Sequence, residues 1–366
     1  MYICMCSLCK KVTKNTWLIN SLFPYTTAIM FTINQHKKFV ILDCDGGSDD
    51  AWALLLLLRA EQCGFIQLLA VTTTGCGNTT CENAARNMRR ILTACSRNDI
   101  PIYMGAVEPL AGYVDADRKL FHGRDGFGDC LNDENSLHIS SYVQPQHAVM
   151  AIHEFCKQRP QQITIIAVGP LTNLALGYTM YGEQFGLCIK DIYIMGGNYQ
   201  GVGNSSRSAE FNFHSDPEAA HAVLLKTPCP ITILPWEPCT KERFNIPINW
   251  RLGEFVQCAA AYKHLAIDIL NQVENSQYEM DNWNPCDALL VAAWLFEKQF
   301  IKKSSTWNAT VDLTGTHTRG QMVLDHLREC KKFPENVRII EFVDDECFKH
   351  IVEWAAGLRD TLDENK

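Results

Sequence analysis

The chain has 366 residues, 47% of them apolar and 20% charged, enough apolar material for a large core, which excludes a chain dominated by disorder. Its 33 basic and 41 acidic side chains leave a net charge of −8, which argues against a nucleic-acid binder that works by neutralising phosphates and points to a small neutral or cationic partner. The 17 Cys are scattered, odd in number and mostly set in apolar stretches, so they read as reduced, buried thiols rather than a disulfide framework.

Residues 1–42 hold five Lys and no Asp or Glu. Lys10, Lys11 and Lys14 precede a partly apolar stretch from Trp17 to Phe31, interrupted by Asn20, Ser21 and Pro24. Two readings stand: a poor leader, or a true start at Met30 with the rest an artefact of the gene boundary. Residues 1–37 are therefore set apart as an N-terminal extension, and 38–366 are expected to form one domain, since no low-complexity linker or repeat divides them. Within that body, short apolar runs alternate with helical patterns, the signature of βαβ units and an open, mostly parallel α/β sheet flanked by helices. The expected strands are Phe39–Leu42, Ile66–Thr72, Ile163–Val168, Ile192–Met195 and Ile231–Leu234. Each is continuously apolar, as for strands covered on both faces. The expected helices are Asp50–Gln62, Cys81–Cys95, His147–Lys157, Leu171–Tyr178, Pro217–Leu225, Cys286–Glu297 and one near Asp345–Leu358. No apolar run reaches the roughly 18 to 20 residues that span a bilayer, because Ala51–Leu58 leads into Arg59 and Glu61, so a soluble body with no membrane partner is expected.

In an open parallel sheet the ligand sits beyond the carboxyl ends of the strands. The first strand ends in Asp43-Cys44-Asp45-Gly46-Gly47-Ser48-Asp49-Asp50. Helix capping accounts for one or two of these acids. The remainder repel one another unless they share a cation, and hard oxygen donors suit Ca²⁺ or Mg²⁺ rather than zinc. Other strand ends offer a Gly-rich turn at Thr74–Thr79, Gly169-Pro170-Leu171-Thr172-Asn173, and Gly196-Gly197 leading to Asn204, Glu210 and Asn212. Asp287 opens a late apolar helix; taken alone it reads as a cap.

These segments closely resemble the calcium-dependent nucleoside hydrolases, the inosine-uridine preferring N-ribohydrolases. The resemblance runs in the family's order through the acidic motif, Gly77-Asn78, Phe121-His122-Gly123, Val168–Asn173, Met195-Gly196-Gly197, Ala209-Glu210-Phe211-Asn212 with Asp216–Ala219, and Asp287-Ala288. Gly46 stands where the family carries a proline, a departure expected to leave the acids in place. The resemblance implies hydrolysis of the N-glycosidic bond of a ribonucleoside to ribose and free base. It implies a Ca²⁺ held by Asp45, Asp49, Asp50, Asp287 and the Val168 carbonyl, with Asp45 the general base toward a calcium-bound water and Asp43 orienting the loop. It also implies ribose contacts from Asn78, Asn204, Glu210 and Asn212, with Met195 in the same wall, and a homodimer or homotetramer.

A carboxylate-rich pocket suits the oxocarbenium-like ribosyl cation of glycoside cleavage. The leaving base is the harder half. In two branches of the family a His or a Trp stands before the last Asp ligand; here it is Cys286, which either takes part directly or lines the pocket. His122, in a Gly-rich loop at the expected rim, is a second candidate for assisting base departure. Trp236 and Trp283 are expected to pack in the core unless one stacks on a base. Purine against pyrimidine preference stays open.

An Asp-x-Asp-Gly phosphatase reading leaves Asp49, Asp50, Glu210 and Asn212 without a task. The alternative kept is a catalytically weak or inactive nucleoside-binding member of the family. Of three Asn-x-Ser/Thr sequons, two coincide with the pocket residues Asn78 and Asn204, where glycans would block the site. That favours a cytoplasmic protein, with secretion the alternative if residues 1–37 form a leader.

Overall fold

The computed structural model describes residues 37–112, 121–131, 138–260, 264–278, 280–328 and 334–361, so the expected extension lies outside them apart from Lys37. Residues Lys37–Lys366 form one compact unit. Its strands are β1 (Lys38–Cys44), β2 (Ile66–Thr73), β3 (Ile102–Met104), β4 (Val143–Gln144), β5 (Ile163–Ala167), β6 (Asp191–Met195), β7 (Ile231–Leu234), β8 (Ile301–Trp307), β9 (Ala309–Val311), β10 (Met322–Leu324) and β11 (Val337–Val343). Nine of them make one sheet in the order β4-β3-β2-β1-β5-β6-β7-β11-β8, and β9 and β10 form a separate antiparallel pair. Every pairing in the large sheet is parallel except that of β8 with β11. The open, mostly parallel α/β class expected from the apolar runs is therefore the observed one.

All five expected strands are present, within two residues at either end. Of the strands not foreseen, β3, β4, β9 and β10 are short and β8 is polar, while β11 is a mostly buried seven-residue strand whose apolar run is broken by Arg338 and Glu341. β3 and β4 span three and two residues, and β8 reads Ile-Lys-Lys-Ser-Ser-Thr-Trp. β8 is an edge strand, and exposed Lys302 and Lys303 blunt it against pairing with another chain. The central strands alternate between two apolar layers. Val40, Leu42 and Ile166 face one core, with the helices Ser48–Gln62, Cys286–Leu295 and Asp345–Ala355. Ile41, Ile163 and Ile165 face the other, with Thr172–Tyr181 and Pro217–Lys226.

The helix Ser48–Gln62 is buried continuously from Asp50 to Leu58. A helix apolar on every side has no solvent face, so it lies inside the molecule rather than on it. Among the described residues no helix is long and apolar enough to cross a membrane. Of the 13 described cysteines, none is in a disulfide, and six are buried, five half-buried and two, Cys63 and Cys258, exposed. The expectation of reduced thiols fits; that of mostly buried ones does not, because several occupy helix and loop positions at the rim of the core.

The chain reverses its direction of progress across the sheet between β1 and β5: β2, β3 and β4 are added on one side of β1, and β5, β6 and β7 on the other. That switch point leaves a crevice at the carboxyl ends of β1 and β5. Asp344 caps the last helix by accepting the Cys347 amide at 2.9 Å. Asp344→Ala is expected to cost about 1 kcal/mol in urea unfolding; a loss below about 0.3 kcal/mol would show that the cap is dispensable.

Candidate active site

Beyond β1 the backbone turns through Gly46, whose φ of +84° is open to glycine and closed to proline. A Cβ there would run into the backbone of Ala84. The turn is thus made by glycine rather than by the family's proline, and the acids still converge. Asp50 reaches back so that its carboxylate accepts the amides of Gly47 at 2.7 Å and Asp45 at 3.0 Å. Capping therefore explains Asp50 in part, as expected for an acid in a first helical turn.

Asp49, Asp50 and Asp287 each place a carboxylate oxygen within 4.8 Å of the others. Asp49 and Asp50 arrive on the helix Ser48–Gln62 and Asp287 on the first turn of Cys286–Leu295. Asp50 and Asp287 are buried, and desolvation followed by the neighbouring carboxylates pushes both well above the ordinary acid range. Among the described residues, no Lys or Arg forms a salt bridge with any of the three. Asp49 Oδ1 is buried with no hydrogen-bond partner. Uncompensated carboxylates at this spacing, with an orphaned oxygen among them, fit a hard divalent cation.

Asp45 stands beside this group. Its two oxygens accept the Asn78 side-chain amide and the Asn78 backbone N–H, each at 2.8 Å. Burial raises its pKa to about 7, the charge of Asp49 adding to the effect and the Asn78 bonds opposing it. Gly77 packs so tightly on Asp45 that a Cβ would collide with the carboxylate. Asp43 sits behind, its Oδ1 accepting Thr72 Oγ1 at 2.6 Å and Asn173 Nδ2 at 2.8 Å, with burial raising it to about 6.

On the β5 and β6 side, Asn212 donates through Nδ2 to the carbonyls of Val168 at 3.0 Å and Met195 at 3.1 Å. Glu210 is buried and caps the helix Phe211–Ser215, accepting the amides of Gly197 at 2.8 Å, Asn212 at 2.9 Å and Phe213 at 3.1 Å. Burial lifts it from 4.5 to about 7. Asn204 is exposed on the preceding loop, where its backbone N–H donates to Ala209 O at 3.3 Å. Hydrogen bonds thus join Glu210, Asn212, Met195 and Val168 into one wall, while Asn78 is tied to Asp45 and Asn204 is exposed.

His122 is buried rather than free at a rim. Its loop is fastened by Thr79 Oγ1 to Arg124 O at 2.6 Å and by Asn87 Nδ2 to Asp125 O at 2.8 Å. The Ser48 hydroxyl donates to Gln277 Oε1 at 2.8 Å, and His122 Nδ1 lies 3.3 Å from the Ser48 amide and 3.1 Å from the Ser48 hydroxyl oxygen. Nε2 is 3.3 Å from Asp49 Oδ1. Burial lowers the pKa of His122 against the pull of Asp49, so the ring is neutral. Cys286 is buried beside Cys239, and that thiol together with desolvation pushes its pKa well above the ordinary value. Trp283 is fully buried against Trp52 and has no face open to a base.

Gln277 and Ser48 were not anticipated. The signal for Gln277 lay in the spacing of Ala266, Ile267, Leu270 and Val273, the buried face of the helix Leu265–Gln277. A stability change with pH follows from the raised acids. A group whose folded pKa lies above its unfolded one stabilises fully below the unfolded value, and that contribution is lost as pH rises through the folded value. The stability of cation-free wild type relative to Glu210→Gln should therefore fall as pH is raised from about 5 to about 8. Paired thermal melts in chelator check this, and a relative gain at the higher pH would contradict it.

The family described as inosine-uridine preferring nucleoside hydrolase matches residues 40–350. A pyrimidine-specific ribonucleoside hydrolase RihA of Shewanella sp. (strain MR-7) is 41% identical over 196 residues, 53% of this chain and 57% of its own length, so that match spans little more than half of the relative. The RihA of Photobacterium profundum is 30% identical over 298 residues, 78% of this chain and 88% of its own. A solved structure titled inosine-guanosine nucleoside hydrolase is 25% identical and superposes with a TM-score of 0.77, covering 88% of this chain and 99% of that one. With the sheet, the order of its motifs and the convergence of its acids in agreement, the chain belongs to the inosine-uridine preferring nucleoside hydrolase family, a family of N-glycosyl hydrolases.

Proposed function

We propose that the chain hydrolyses the N-glycosidic bond of ribonucleosides to ribose and free base at the crevice between β1 and β5. The observation that carries this reading is the convergence of Asp49, Asp50 and Asp287 within 4.8 Å beside Asp45. In this reading Ca²⁺ is held by Asp45, Asp49, Asp50, Asp287 and the Val168 carbonyl. When bound, such a cation lowers the pKa of a water and orients it toward the sugar.

Asp45 is the general base. Asn78 fixes both of its oxygens in place, and further lone pairs remain to take a proton from the attacking water. Asn78, Glu210 and Asn212 meet the ribose hydroxyls, Met195 lines the same wall, and Asn204 closes over from its exposed loop. The buried carboxylates stabilise positive charge developing on the ribosyl group. Cys286 serves as pocket wall, because a thiol whose pKa is raised gives up its proton reluctantly. His122, with Nε2 3.3 Å from Asp49 Oδ1, bears on an acid rather than on the departing base. The relatives' names divide between pyrimidine and inosine-guanosine substrates; the reading adopted is activity on both base classes. A homodimer or homotetramer in the cytoplasm belongs to the same reading and rests on the resemblance.

Release of ribose and free base from inosine, adenosine, guanosine, uridine and cytidine tests it. Release should stop on chelation and return with Ca²⁺, and Asp45→Ala should lower kcat by about a hundredfold or more. No release by folded, calcium-supplied wild type would leave nucleoside binding without turnover. Gly77→Ala forces the Asp45 carboxylate aside; it is expected to depress kcat strongly while the folded state persists, and unchanged turnover would argue against Asp45 as the base.

A further inference from the structure

Near the acidic group lies a second buried charge cluster, built from Glu274, Arg251, Trp52 and Trp283. Glu274 Oε1 accepts two indole N–H groups at once, Trp52 Nε1 at 2.9 Å and Trp283 Nε1 at 2.8 Å. Its Oε2 is 2.6 Å from the Arg251 guanidinium, and both side chains are sealed from solvent. Arg251 lies over the rings of Trp52 at 4.8 Å, Phe255 at 5.2 Å and Trp283 at 5.6 Å, and donates a hydrogen bond to Asn271 Oδ1 at 2.7 Å. The indoles themselves meet edge to face at 5.4 Å.

The places of the two tryptophans in the chain give this cluster a purpose. Trp52 is on the first turns of the helix that carries Asp49 and Asp50, and Trp283 immediately precedes the turn that carries Asp287. When ionised together within 4.8 Å, the three carboxylates push those two helix starts apart. A single carboxylate oxygen that takes both indole donors draws them together. Replacing a buried ion pair with apolar groups is often neutral for stability, so a pair kept here is better explained by the geometry it imposes.

We propose that Glu274 is a positioning residue for the acidic centre, bracing Trp52 against Trp283 so that Asp49, Asp50 and Asp287 stay at cation-binding distance. This rests on the reading of that centre as a divalent-cation site. Arg251 neutralises the brace inside the core and stacks on the two rings it holds.

Calorimetric titration of the whole chain with CaCl₂ tests the proposal. Glu274→Gln should weaken Ca²⁺ binding about tenfold or more, and Trp52→Phe and Trp283→Phe, which each remove one indole donor, about threefold. Asp312→Ala, which removes the carboxylate that accepts the Thr314 and Gly315 amides beside β9 on the opposite apolar layer, serves as the control and should lower stability with Ca²⁺ affinity unchanged. The proposal is overturned if all three variants bind within about twofold of wild type, and also if the control weakens binding as much as they do. If Glu274→Gln does not fold, the two Phe variants decide. Wild type that binds no Ca²⁺ overturns the cation reading itself, and the brace with it; wild type that binds while the variants bind equally well overturns the brace alone.

Discussion

The rest of this structure depends on the mutual repulsion of Asp49, Asp50 and Asp287. Placing three carboxylates within 4.8 Å, two of them buried, is unfavourable in any folded chain that lacks a compensating positive charge. The surrounding elements are arranged to tolerate it. Asp50 is paired with backbone amides, His122 Nε2 lies 3.3 Å from Asp49, and the innermost helix carries two of the acids on a start that cannot move without disturbing the core.

The polar groups around the acids work in tiers. Asn78 fixes Asp45, while Thr72 and Asn173 fix Asp43 behind it. Asn173 ties the strands together as well, accepting the Ala106 amide at 2.9 Å and donating to Thr73 O at 3.2 Å. On the other side of the crevice, Glu210 spends its oxygens on three amides and Asn212 bridges the ends of β5 and β6.

Much of this was legible in the chain. The motif from Asp43 to Asp50 concentrates charge where an apolar strand stops, and charge at such a place has few structural explanations. β1, β2, β5, β6 and β7 announced themselves because strands buried on both faces need unbroken apolar runs. The edges were silent for the same reason: β3 and β4 are too short to form a run, and β8 is polar because one side of it meets solvent. Asp287 gained meaning only from the family resemblance, since one acid at a helix start is ordinarily a cap. Glu274 and Arg251 gave no signal at all. A Glu and an Arg more than 20 positions apart look like surface residues, and only the fold brings them into the same cavity between two indoles.

Strand order also governs when this centre comes into being. β1 pairs with β5, joining Phe39 to Ile163, and Asp287 comes from well over two hundred residues beyond Asp49. Contacts so distant in sequence form late, after the chain has met the entropy of closing the loops between them. The acids therefore assemble only in the nearly complete molecule. A cation that needs all of them gives little help to the early stages of folding, but it binds the finished state and shifts the balance toward it by mass action. For this chain, occupancy of the centre amounts to proofreading: the ion recognises a molecule only when its most remote segments have already found their places.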